Sequence, residues 1–197
     1  MNLSYLAVER DIGIQERESQ FWLSRGISSV QVTSMREAIE AASKNQFIYI
    51  GINAANIDYL PCLSVLRGAT NDPIFIATTS YTMQEQGLTL DQGADSFGQI
   101  SDNPNDNYNS VMAGIKRCEA RSKQRKPTLK IATYKNVLLV YKYRLAFVDD
   151  IRVDLTKLEF NLLFLLMSNR GQVFTFEQLY RNVWESDYNL DYISVRL

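Results

Sequence analysis

The chain has 197 residues, 46% of them hydrophobic and 22% charged, with a formal net charge of −1. That is the composition of a soluble globular protein with one large or two small domains, and 9 Gly and 4 Pro exclude a repetitive or disordered chain. With no His, and with Cys62 and Cys118 as the two widely separated Cys, there is no Ser–His or Cys–His catalytic pair and no sign of a disulfide framework or zinc site.

No apolar stretch approaches ~18 residues and no basic, hydrophobic leader opens the chain, so a cytoplasmic protein without membrane contact is expected. Both Cys fall in helical patterns and read as packing residues. Charge is divided unevenly. Residues 1–115 carry 6 Lys/Arg against 13 Asp/Glu, and residues 116–197 carry 15 against 9. An acidic first part and a basic second part predict two domains, the second suited to a polyanion.

The first part alternates strand and helix. "LSYLAV" (3–8) is an apolar strand; in the helix that follows, Ile12, Ile14, Phe21 and Trp22 share one face, closed by Gly26. "ISSVQV" (27–32) is a second strand, and Ser34-Met-Arg-Glu37 is a capping box opening a second helix. A third strand, "FIYIG" (47–51), ends at Gly51 and gives way to small and polar residues. Asp58 to Arg67 reads as a helix with Gly68 as its left-handed cap, and "PIFIATT" (73–79) as a fourth strand. "TMQEQGLTLDQ" is a short helix interrupted by Gly87, "SFGQI" (96–100) a fifth strand, and 107–121 a last helix burying Val111, Met112, Ile115 and Cys118. Strands separated by helices of this length predict a parallel sheet covered on both faces.

"RCEARSKQRKPT" runs from that helix into an exposed linker, placed at 122–128. Beyond it, "KNVLLVYKYRLAFVDDIRVDL" predicts short antiparallel strands turning at Asp149-Asp150. Thr156-Lys-Leu-Glu159 and Thr175-Phe-Glu-Gln178 are further capping boxes, opening two helices. The run Leu162 to Met167 is apolar nearly all round, which predicts a buried helix. A third helix begins near Asp191, and the chain stops six residues later.

The segment from Val153 to Leu197 closely resembles the winged-helix DNA-binding domain of OmpR/PhoB-type response regulators. The resemblance rests on the L-T-x-x-E-F-x-L-L start, the G-x-V-F-[ST]-x-E-Q-L turn and second helix, and the Val183-Trp184 pair. It implies that 157–169 is the scaffold helix, 175–184 the positioning helix, and the helix from about Asp191 the reader of the major groove. Tyr192, Ser194, Val195 and Arg196 are then the candidate DNA contacts, while Ile193 and Leu197, four apart, read as core. The domain at 129–197 is expected to be truncated within that helix, so that double-stranded DNA would be bound fully by an untruncated protein.

Residues 3–121 resemble the same family's receiver domain, a five-stranded parallel flavodoxin-like fold, through the element order, "GAD" (93–95) and "PIFIATT". In that family a carboxylate ending the third strand accepts a phosphoryl group, an acidic pair after the first strand holds Mg²⁺, and a Lys after the fifth neutralises the phosphate. Aligned on Asp58, the acceptor position falls on Gly51, the acidic pair on Glu9 and Arg10 with Asp11 following, and the Lys on Ile100. Only Thr78, at the switch hydroxyl, and Phe97, at the switch aromatic, persist.

The expectation is therefore a pseudo-receiver at 1–121 with no catalytic residue, metal or cofactor, in which Arg10 fills the vacated metal position and pairs with Glu9 or Asp11. Family dimers use charged residues near the fifth strand and helix, but here those positions become Ser96 and Gly114. Apolar contacts from Val111, Met112 and Ile115 are expected to sustain a homodimer instead. The function expected is a DNA-binding transcriptional regulator, not an enzyme, that acts without phosphorylation. The alternative is a signalling module that senses a metabolite or protein without binding DNA.

Overall fold

A computed structural model describes residues 3–101, 103–122 and 129–184. The chain divides into two compact units, Met1–Lys130 and Ile131–Leu197. In the first unit the strands are β1 (Leu3–Val8), β2 (Ile27–Val32), β3 (Ile50–Asn53), β4 (Ile74–Thr78) and β5 (Ser96–Gln99). The helices are α1 (Ile12–Leu23), α2 (Met35–Lys44), α3 (Leu60–Ala69), α4 (Met83–Asp91) and α5 (Pro104–Ser122). All strand pairs are parallel, in the order β2-β1-β3-β4-β5. The order reverses at β1/β3, the place where open α/β sheets put their chemistry.

Side chains alternate across the sheet. One face carries Tyr5, Ala7, Tyr49 and Phe75, which form a core with Trp22 of α1 and with Ile115 and Cys118 of α5. Its center is a row of rings: Tyr5 stacks on Tyr49 at 5.0 Å, Tyr49 on Phe75 at 5.7 Å, and Trp22 tilts onto both tyrosines. The alternate positions Leu6, Ile50, Ile52 and Ile74 are fully buried on the other face, as are Ile39 of α2 and Leu63 of α3.

At the N-terminal end of the strands a largely buried ion pair, its side chains 13% and 11% exposed, ties the sheet together. Arg67 Nη1 meets Asp95 Oδ2 at 2.8 Å, while Nη2 donates to the Thr70 and Asp72 carbonyls, each at 2.7 Å. The same Asp95 oxygen accepts from the Ile74 amide at 3.0 Å, so α3, β4 and the start of β5 are tied together.

Several expectations are corrected here. Gly68 lies inside α3, which runs on to Ala69 with Thr70 as its cap, because Arg67 and Thr70 are held by the ion-pair cluster. Gly87 does not interrupt α4, whose start is capped by Thr82 accepting from the Glu85 amide. Ile12 is solvent-exposed, while Phe21 and Trp22 pack inward. Val111 and Met112, expected at a dimer face, are partly buried against the core, and Ile115 lies within it. Gly114 is buried beneath Phe75, whose Cζ would stand 2.7 Å from an added Cβ, so this position closes helix against sheet and does not face a partner.

The second unit opens with an antiparallel meander of β6 (Ile131–Tyr134), β7 (Val137–Val140), β8 (Leu145–Val148) and β9 (Ile151–Val153). Asp149 and Asp150 both have positive φ, 51° and 65°, which suits the tight hairpin expected there. Helices α6 (Lys157–Ser168) and α7 (Phe176–Trp184) follow. The Thr156–Glu159 box is reciprocal, and Thr175 and Gln178 exchange bonds of 2.9 and 3.2 Å. Phe160 and Met167 reach the core with Ala132, Leu139 and Ala146. Helix α6 is only half-buried beyond those two residues, and Leu166 is exposed, which corrects the expectation of burial all round.

Removing one partner of a buried ion pair leaves the other charge uncompensated. Arg67→Ala is expected to lower the stability of the first unit by about 3–5 kcal/mol, read from urea unfolding followed at Trp22 in a Trp184→Phe background.

Candidate functional site

The C-terminal edge of the parallel sheet gathers the loops after β1, β3, β4 and β5. Glu9, the first residue after β1, is only 3% exposed although it is a carboxylate. Such a group must find hydrogen-bond donors or a cation. Its donors are side-chain amides. Asn53 Nδ2 donates to Oε2, Asn56 Nδ2 donates to Oε1, and the Asp11 backbone N–H donates to Oε1 at 2.8 Å. Asn53 is fully used, since its Oδ1 also accepts the Ala55 amide at 3.0 Å.

Arg10 is not among the partners of Glu9. It is exposed and donates through Nε to the Thr33 carbonyl at 3.2 Å, across the β1–β2 edge. The expected pairing with Glu9 or Asp11 is therefore replaced. Two amides fit close to the buried carboxylate, whereas the Arg10 side chain, next in the chain, leaves the strand in the opposite direction. Asp11 caps α1, accepting from the Ile14 amide at 3.0 Å.

Gly51 sits in β3 beside Ala7 of β1 and Phe75 of β4. A Cβ there would lie 3.1 Å from Tyr49 Cε2, so a side chain would press on the ring of the preceding same-face residue. Thr78 is buried with its hydroxyl engaged in its own turn, donating to the Ser80 carbonyl at 2.6 Å and accepting the Ser80 amide at 3.2 Å. Phe97 is buried on the other face of the sheet, 6.0 Å from the Tyr81 ring. Ile100 follows β5 and is bound through its amide to the Thr78 carbonyl at 3.0 Å.

Of the seven residues expected at this site, Glu9, Gly51 and Ile100 line one cavity of about 150 Å³ between the sheet, α1 and α5. Its floor is made of Ala7, Gly51, Ala77 and Gly98, four small residues on adjacent strands. Tyr5, Trp22, Tyr49 and Phe75 form its inner wall, and Glu18 of α1 stands at the open side. The protein packed around Glu18, and then the charge of Glu9, raise its carboxyl above the usual range. Burial, followed by the charge of Glu18, raises the Tyr5 hydroxyl. Burial likewise lifts Tyr49, with Tyr5 and Glu18 adding to the effect.

Sequence reasoning passed over three of these participants. Asn53, Asn56 and Glu18 stand in no motif. Only the fold brings Asn53 and Asn56 to a residue more than forty positions earlier. The expected DNA contacts Tyr192, Ser194, Val195 and Arg196, and the linker 122–128 beyond Ser122, lie outside the described residues.

Residues 150–197 match the family described as "Transcriptional regulatory protein, C terminal". The chain is 28% identical over 158 residues to the response regulator ArlR of Staphylococcus saprophyticus, covering 79% of this chain and 68% of that protein. It is 23% identical over 185 residues to the uncharacterized transcriptional regulatory protein YcbL of Bacillus subtilis, covering 93% and 82%. Among solved structures, a CheY-like response regulator receiver domain protein from Methanospirillum hungatei superposes with a TM-score of 0.56 at 15% identity, over 61% of this chain and 99% of that one. Residues 150–197 thus resemble the C-terminal part of transcriptional regulatory proteins, and the superposition shows a receiver fold in the first unit.

The raised carboxyl of Glu18 has a signed consequence. Its protonated form favours the folded state, so that contribution is fully present below the ordinary glutamate pKa and is lost as pH rises through the raised value. Glu18→Gln is expected to flatten this decline, checked by urea midpoints measured across pH for both proteins.

Proposed function

We propose that this protein is a response regulator of the OmpR/PhoB type that controls transcription without aspartyl phosphorylation, its C-terminal unit binding double-stranded DNA. Its receiver-like unit then serves as a constitutive dimerisation or partner-binding module. The observation that carries the reading is the state of Glu9. In a phosphorylatable site this carboxylate would help hold a divalent cation, whereas here it is saturated by Asn53, Asn56 and the Asp11 amide. Gly51 offers no acceptor oxygen, and Ile100 offers no charge to a phosphate.

The basic balance of residues 116–197 supports a polyanion partner for the second unit. Tyr192, Ser194, Val195 and Arg196 are the contacts proposed for it. Val111, Met112 and Ile115 of α5 are the proposed dimer face, alongside exposed apolar residues such as Met83 and Leu88 of α4.

Incubation with acetyl phosphate and Mg²⁺, followed by intact-mass measurement, is expected to leave the mass unchanged. Gly51→Asp is expected to behave the same way, because Glu9 stays occupied by amide donors and Ile100 offers no charge. A stable phosphoryl adduct on the unmodified chain contradicts the reading. In mobility-shift assays, DNA retention should fall steeply with salt and be indifferent to the phosphodonor. Failure of a protein carrying the whole winged helix to retain any DNA at low salt would favour the signalling module without DNA binding.

A further inference from the structure

The cavity beneath the C-terminal edge of the sheet has a composition that selects its occupant. Its lining includes two carboxylates, Glu9 and Glu18, and neither Lys nor Arg. An anionic ligand would be repelled. A divalent metal ion lacks ligands, since among the described residues no three His, Cys, Asp or Glu side chains gather to hold one. The inner wall is aromatic, and aromatic faces attract cations. The Tyr5 ring, 1% exposed, is part of that wall.

We propose that this cavity binds a small organic monocation, with an ammonium head beside Glu18 and an apolar body laid against Trp22, Tyr49 and Phe75. The proposal rests on the reading that this edge no longer transfers phosphoryl groups. The volume sets the size, since an apolar cavity of about 150 Å³ accepts a molecule as large as benzene. A primary amine on a ring or a short branched chain therefore fits, while a nucleotide or a peptide does not. The charge of the head offsets the repulsion between the two carboxylates, and the ring wall excludes water from the body. Gly51 is part of the site because the absence of a side chain there leaves the floor open.

The test uses the full chain and benzylammonium as probe, with benzyl alcohol as its neutral counterpart, followed by isothermal titration and ligand-observed NMR. Benzylammonium is expected to bind at least about tenfold more tightly than the alcohol. Glu18→Gln should erase most of that difference, with an unchanged circular dichroism spectrum verifying the fold. Gly98→Val should abolish binding of both probes. Its added Cβ meets no atom within 4 Å, so it fills the cavity without strain, and an unchanged circular dichroism spectrum verifies the fold. Equal affinities for the two probes, undiminished binding in a folded Gly98→Val protein, or no binding at millimolar probe would each overturn the proposal. A phosphoryl adduct would instead overturn the function proposed above, and the amine titration would still report on the cavity.

Discussion

The carboxylate of Glu9 is buried at the edge where β1, α1 and β3 meet, and satisfying it organises that edge. Leaving such a group unpaired away from water costs several kcal/mol. Three donors converge on it, from the loop after β3 and from the first turn of α1. The Glu9 carbonyl is also used, accepting from Gln15 of α1 at 2.5 Å. One residue thus fixes where α1 starts and how the chain leaves β3. Because the donors are neutral amides, the arrangement is complete without a cation. On the proposed reading, that completeness separates this unit from a phosphoryl-transfer site on the same fold.

A second constraint is steric. Tyr49 lies two residues before Gly51 on the same face, and its ring reaches beneath the position of the missing Cβ. The stacked rings of Tyr5, Tyr49 and Phe75 can therefore continue to the end of the strands. Small residues on the neighbouring strands leave open space above them. The same feature that removes an acceptor at Gly51 also creates a cavity with an aromatic base and an acidic mouth.

Most of the architecture was legible in the sequence because local chemistry and global pattern agree. Apolar strands, helix caps at Ser34, Thr156 and Thr175, and the Asp149-Asp150 turn are all local signals, and each stands where it was expected. What the sequence could not disclose depends on contacts between distant segments. Gly68 and Gly114 carry no local sign that one sits within a helix beside an ion-pair cluster and the other lies under a phenyl ring. The stripe of Val111, Met112 and Ile115 is apolar whether it serves a core or an interface, and only the fold shows that Ile115 lies within the core while Val111 and Met112 are partly buried against it. Arg10 looked like a partner for Glu9 because the two are adjacent, yet adjacent residues leaving a strand diverge.

The central claim is that amide donors satisfy the Glu9 carboxylate without a metal ion. It is tested most directly by titrating the ¹⁵N-labelled protein with Mg²⁺ while following the side-chain amides of Asn53 and Asn56 and the backbone amides of Asp11 and Gly51. The account predicts no saturable shift in these signals at millimolar Mg²⁺. A saturable shift centred on them, lost in Glu9→Gln, would contradict it.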